Sequence, residues 1–132
     1  MSVTYALSPL APKTTPTLPR IAGVKLGAAQ SGVRYKDRDD VFLALVPAGA
    51  TIAGVLTRSK TCSAPVDWCR KNLPRGKVRA IVVNAGNANA FTGKAGDKAV
   101  EESTRAIAQA LGCPRNEVFM ASTGVFGQPL DW

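Results

Sequence analysis

Short apolar runs, separated by turns rich in proline and glycine, alternate along this chain with longer stretches in which apolar residues recur at helical spacing. Val41-Phe42-Leu43-Ala44-Leu45-Val46 is an unbroken apolar run, the pattern of a strand buried on both faces. Pro47-Ala48-Gly49-Ala50 turns the chain, and Thr51-Ile52-Ala53-Gly54-Val55-Leu56 reads as the hairpin partner of that strand. Upstream, Ile21 to Gly27 begin a strand that Ser31-Gly32 ends, and Tyr35 to Asp40 form a charged loop. Val78 to Val83 is a second buried strand. Glu117-Val118-Phe119-Met120-Ala121 is a further one, which Ser122-Thr123-Gly124 leaves.

Two helices interrupt these strands. Ser63 precedes Ala64-Pro65, so a hydroxyl stands at the N-cap with proline in the first turn; the helix runs to about Asn72, where Pro74-Arg75-Gly76 stops it. Between Asp97 and Leu111, the residues Val100, Thr104, Ile107 and Leu111 share one face. Glu101 and Arg105 form a favourable i,i+4 pair there, and Gly112 supplies the stop. Strands separated by helices predict an α/β (α+β layered) fold. With 132 residues the chain holds one domain. Pro9, Pro12, Pro16 and Pro19 break any amphipathic transit helix, so residues 1–19 read as an extended, proline-rich arm before a domain over 20–132.

Composition narrows the chemistry. Apolar residues at 45% and charged residues at 20% are ordinary for a globular protein, and no apolar run approaches the roughly 20 residues that cross a bilayer. There is no histidine, which excludes Ser-His-Asp and Cys-His catalysis and any zinc site with a histidine ligand. Cys62, Cys69 and Cys113 form no C-x-x-C pair and leave an odd count. A disulfide framework is therefore not expected, no metal site is expected either, and a cytoplasmic setting is. No glycosylation sequon contradicts that.

The net charge of +8 is concentrated. Arg58, Lys60, Arg70, Lys71, Arg75, Lys77 and Arg79 face a single Asp67 within residues 58–79, a local net of +6. Such a patch is either a solvated basic face or a module that docks on nucleic acid. Aromatic residues are only 6% of the chain and do not interleave with the basic ones, which favours the solvated face.

Two segments are dense in groups that could do chemistry. Asn84-Ala85-Gly86-Asn87-Ala88-Asn89-Ala90 follows the strand that ends at Val83. Amides at the carboxyl end of a strand serve either a ligand-binding loop or a tightly bonded structural turn. A phosphate loop fails on spacing, because six residues separate Gly86 from Gly93 and Lys94 is followed by Ala95. Ala121-Ser122-Thr123-Gly124-Val125 can aim a hydroxyl and a backbone N–H at one point, as an oxyanion hole requires, or can be an ordinary turn.

The runs Ala53-Gly54-Val55-Leu56-Thr57-Arg58, Ser63-Ala64-Pro65-Val66, Ala80 to Ala90 and Ala121 to Leu130 occur in this order in one family. The chain resembles the bifunctional ornithine acetyltransferases of arginine biosynthesis (glutamate N-acetyltransferase and amino-acid acetyltransferase), over about residues 20–131. The resemblance is to the N-terminal part of the family's α chain, and it implies a mixed sheet with helices that is incomplete in this chain. It further implies transfer of acetyl from N-acetylornithine to glutamate, with acetyl-CoA as a possible co-substrate and no other cofactor. The precursor would cut itself before a threonine that becomes the nucleophile at the start of a β chain, and α and β chains would form an α2β2 heterotetramer. The family's Ser-Thr-Gly oxyanion hole maps onto Thr123 and Gly124. The family's Ala-Thr cleavage site has no counterpart here, since Ala50-Thr51 lies in a turn without the surrounding motif. A fragment or truncated gene product, inactive alone, with neither nucleic-acid nor membrane partners, is the resulting expectation.

Overall fold

The computed structural model describes residues 7–130. Four strands form one mixed sheet: β1 (Lys25–Ala29), β2 (Val41–Leu45), β3 (Ala80–Asn87) and β4 (Val118–Val125), side by side in that order. β1 and β2 pair antiparallel, as do β2 and β3, whereas β3 and β4 run parallel. The parallel pair needs a crossover, which helix α2 (Gly93–Leu111) provides. Helix α1 (Ala64–Asn72) lies between β2 and β3 in sequence, and short 3₁₀ turns at Leu73–Arg75 and Arg115–Glu117 complete the described elements. This is an α+β fold with a mixed sheet.

Register sorts the sheet into two faces. Leu43 pairs with Val82 and Val82 with Met120, so these side chains share the face that meets the helices. Val82, Met120, Ala99, Val100 and Leu130 form the main core cluster, and Ala80, Val118 and Ala108 a second. α2 contributes its Val100–Thr104–Ile107–Leu111 stripe as expected, with Thr104 fully buried and its hydroxyl bonded back to the Val100 carbonyl at 2.7 Å. On the opposite face Leu26 is 68% and Phe42 39% exposed.

α1 seals the free edge of β4. Trp68 Nε1 donates to the Val118 carbonyl at 2.8 Å and Cys69 Sγ to the Met120 carbonyl at 3.2 Å. A parallel edge strand would otherwise present these acceptors to other chains. Arg115 stacks its guanidinium 4.4 Å from the Trp68 ring and also reaches Glu101 at 3.1 Å, tying α1 and α2 to the turn before β4. Neither contact is legible in the chain's periodicity.

Several expectations are corrected. The hairpin over Thr51–Leu56 does not form: β1 and β3 occupy both edges of β2, leaving no ladder for it. Only Thr51 bridges, to Lys77, and Val55 stands 98% exposed. β2 is covered on one face rather than two. β1 starts at Lys25 instead of Ile21, after Gly23 turns the chain with a positive φ of 77°. α2 begins at Gly93, four residues before Asp97, despite glycines at 93 and 96. Gly96 is required there: a Cβ would overlap Thr92 Oγ1 and lie 2.5 Å from Asn89 Oδ1. β3 runs four residues past Val83, and β4 starts after Glu117 and continues through Ser122-Thr123-Gly124. Of the arm over 1–19, residues 7–19 carry no strand or helix, and residues 1–6 lie outside the described residues.

Candidate active site

The two chemistry-bearing segments lie side by side. β3 and β4 are parallel, so their carboxyl ends reach the same edge of the sheet, where α/β folds place ligands. Asn84 stands opposite Ser122, Ala85 opposite Thr123 and Gly86 opposite Gly124. Asn84 to Asn87 belong to β3 and Ser122 to Val125 to β4, while Ala88-Asn89-Ala90 leaves the sheet.

The asparagine run is a hydrogen-bonded structural segment, strand through Asn87 and irregular from Ala88. Asn84, Asn87 and Asn89 are all buried, at 4%, 4% and 0% exposure. Asn84 Nδ2 donates to the Asn87 carbonyl at 3.0 Å, and its Oδ1 accepts the Ser122 hydroxyl at 2.5 Å. Asn87 Nδ2 donates to the Gln128 carbonyl at 2.7 Å, and its Oδ1 accepts the Asn89 N–H at 2.6 Å. Asn89 Nδ2 reaches the Gly96 carbonyl at 3.0 Å inside α2, while its Oδ1 accepts the Thr92 hydroxyl at 2.7 Å. The Asn89 carbonyl accepts the Ala64 N–H at the start of α1, at 3.1 Å. One run of amides thereby joins both helices, β4 and the segment after it. Polar groups this buried must be satisfied internally, and every buried side-chain polar atom among the described residues is.

Ser122 and Thr123 diverge because alternate residues of a strand point to opposite faces. Ser122 turns under the sheet to Asn84. Thr123 is exposed on the other face, and among the described residues its hydroxyl meets no partner. Gly124 follows, also exposed, at φ 136°, where only glycine sits without strain. A Cβ on Gly124 would overlap the Gly86 carbonyl carbon and lie 2.6 Å from the Asn87 nitrogen, so the β3 backbone packs directly against this residue. The pairing register is irregular at Gly86 and Asn87, which places Asn87 opposite both Thr123 and Val125. A free hydroxyl and a main-chain amide on neighbouring residues at an open strand end can stabilise charge developing on an acyl oxygen.

A cavity of about 500 Å³ lies on the helix-facing side of β3, away from Thr123, lined by Val33, Arg34, Asn84, Asn87, Met120 and Leu130 among others. Its rim includes the 31–34 loop closed by Asp40, a residue that in sequence is one of several charges in the Tyr35 to Asp40 loop. Asp40 is 3% exposed; it accepts from the Ser31 N–H at 2.6 Å, the Ser31 hydroxyl at 2.9 Å and the Val33 N–H at 2.8 Å. The Ser31 amide above all, opposed by burial, holds its carboxyl below the usual range. An acid directly preceding an apolar strand was the available signal.

The basic stretch divides. Arg58, Lys60, Lys71, Arg75 and Lys77 are exposed. Arg70 is engaged with Asp67 and with the Thr57 carbonyl at 2.8 Å, and Arg79 with the Val46 carbonyl. Among the described residues no cluster of acidic or cysteine side chains could hold a metal, and no helix is long and apolar enough to cross a membrane.

Comparison with solved structures returns the same mixed-sheet fold. The arginine biosynthesis bifunctional protein ArgJ of Bacillus halodurans matches with a TM-score of 0.74 at 35% identity, over 83% of this chain and 57% of that one. Ornithine acetyltransferase of Mycobacterium tuberculosis, solved with ornithine, gives 0.76 at 34% identity over 83% and 60%. In sequence, the bifunctional ArgJ protein of Bradyrhizobium diazoefficiens is 56% identical over 126 residues, 96% of this chain and 30% of the relative. That of Agrobacterium fabrum is 52% identical over 129 residues, 98% and 31%. The ArgJ family model matches residues 25–132, and the chain belongs to the ArgJ family. It spans about 30% of the length of these relatives.

Proposed function

We propose that this chain supplies the oxyanion-stabilising part of an acetyltransferase that moves acetyl from N-acetylornithine to glutamate. The observation that carries this reading is the exposed Thr123 hydroxyl, without a partner among the described residues, beside the Gly124 amide at a strand end. The nucleophile is a threonine outside these residues, freed at the start of a β chain by self-cleavage, whose own α-amino group serves as base; this removes the need for histidine. Its hydroxyl oxygen attacks the acetyl carbonyl carbon, and the carbonyl oxygen takes up the displaced electron pair. Thr123 and Gly124 donate to that oxygen as the charge develops. Collapse expels the ornithine amine, which takes a proton, and leaves an acetyl-threonine. The glutamate amine then attacks the acetyl carbon through the same oxyanion and regenerates the threonine. Acetyl-CoA is an alternative donor to the same nucleophile, no bound cofactor takes part, and the working assembly is an α2β2 heterotetramer in the cytoplasm. The exposed lysines and arginines of residues 58–77 draw in acidic substrates rather than nucleic acid.

The test is a chimera in which this chain replaces the matching segment of the Bradyrhizobium relative. Thr123→Ala should lower kcat by about 10²–10³-fold, while KM changes little, because the lost bond strengthens only as charge builds. Thr123→Ser should keep most activity. An active chimera in which Thr123→Ala stays within a few-fold of the parent would sink the assignment. The chain by itself should transfer no acetyl.

A further inference from the structure

We propose that Asn84 is a positioning residue for the Thr123–Gly124 donor pair. This inference rests on the acyl-transfer reading above. Asn84 touches neither donor. It lies beneath the sheet at 4% exposure and uses both ends of its amide. Oδ1 accepts the hydroxyl of Ser122, the residue immediately before Thr123, at 2.5 Å. Nδ2 donates to the carbonyl of Asn87 at 3.0 Å, and Asn87 is the bulged residue that stands opposite both Thr123 and Val125. One side chain therefore pins the underside of β4 and shapes the bulge against which the Gly124 backbone is pressed.

The two bonds act on different donors. Fixing Ser122 sets the direction of the next residue, since the alternation of the strand carries Thr123 to the open face only while Ser122 stays beneath it. Fixing the Asn87 carbonyl holds the β3 backbone where Gly124 meets it, with Gly86 at φ 108° and Gly124 at φ 136° facing each other across the pair. A hydrophobic residue at position 84 would extend the Val82 pattern and fill the sheet equally well. A buried amide is the choice that couples the strands by direction as well as by packing.

Asn84→Ala in the chimera should lower kcat by about 10–100-fold, the scale of a small misplacement of catalytic groups, with KM within about threefold. The distinguishing measurement is the double variant Asn84→Ala/Thr123→Ala. If Asn84 acts through the donors, its loss matters less once the Thr123 hydroxyl is gone, and the combined effect falls short of the product of the two. Where Asn84→Ala does not fold, Ser122→Ala removes only the bond to Oδ1 and should show a smaller kcat loss with the same shortfall. Losses that multiply, or a kcat within about threefold of the parent for whichever variant folds, would overturn the positioning role while leaving Thr123 in place. A chimera without transfer, or one indifferent to Thr123→Ala, would instead remove the acyl-transfer reading, and this inference with it.

Discussion

Replacing Asn89 by alanine should cost the chain about 2–5 kcal/mol of folding stability, from two separable sources. Asn89 sits at φ 48°, in the left-handed region that asparagine tolerates and alanine does not. Holding an alanine there costs roughly 1–2 kcal/mol. The side chain is fully buried, and its amide serves the Gly96 carbonyl at 3.0 Å and the Thr92 hydroxyl at 2.7 Å. Removing it leaves the Gly96 carbonyl only its helix bond and the half-buried Thr92 hydroxyl to turn toward water, a loss of about 1–3 kcal/mol for the two bonds together. Asn89→Gly separates the terms, because it relieves the backbone strain but restores neither bond. Urea unfolding of the chain, followed by tryptophan fluorescence, reads both variants as shifts in midpoint at constant slope. Alanine should be the worse of the two by about 1 kcal/mol. An Asn89→Ala midpoint within about 0.5 kcal/mol of the parent, the range of surface substitutions, would refute the reading of this run as a structural hub.

Two further predictions follow from the ionisable groups. Asp40 has a lowered folded-state pKa, so its stabilisation is complete above the unfolded value of about 3.9 and is lost as pH falls through the folded value; Asp40→Asn should therefore weaken the chain at pH 7 and flatten its acid-limb stability, and parallel acid limbs in the two proteins would contradict this. Burial raises the thiol pKa of Cys69 and of Cys113; both should alkylate more slowly than free cysteine at pH 8 by mass spectrometry, and an equal rate at Cys69 would contradict the packing of α1 on β4.

The site illustrates how an unpatterned polar run hides its role. Three asparagines after an apolar strand are equally compatible with a ligand loop and a bonded turn, since the amide inventory is the same in both. What decided the matter was burial together with partners distant in sequence, such as Gln128 for Asn87 and Ser122 for Asn84. Thr123 and Gly124 were legible as a hydroxyl–amide pair, but not their exposure, which depends on where β4 ends. That end is set by pairing with β3 rather than by any local stop signal. The missed contacts of Trp68 and Cys69 with β4 have the same origin, with partners some fifty residues away.

Local chemistry was enough for the features confined to one segment. The Ser63-Ala64-Pro65 start of α1, the stripe of α2 and its Gly112 stop all depend on neighbours within a turn or two, and all three formed where expected. The absence of histidine likewise restricted the chemistry without reference to any fold. Only the tertiary structure decided which strands pair. Thr51–Leu56 has the length and composition of a strand, but a ladder needs a free edge, and β1 and β3 had taken both edges of β2. The same competition carried β3 through Asn87 and β4 through Val125, since two parallel strands extend each other for as long as both backbones can pair. Hydrogen bonding between strands distant in sequence therefore set the element boundaries and brought Asn84 beneath Ser122, because pairing energy depends on the partner as much as on the residue.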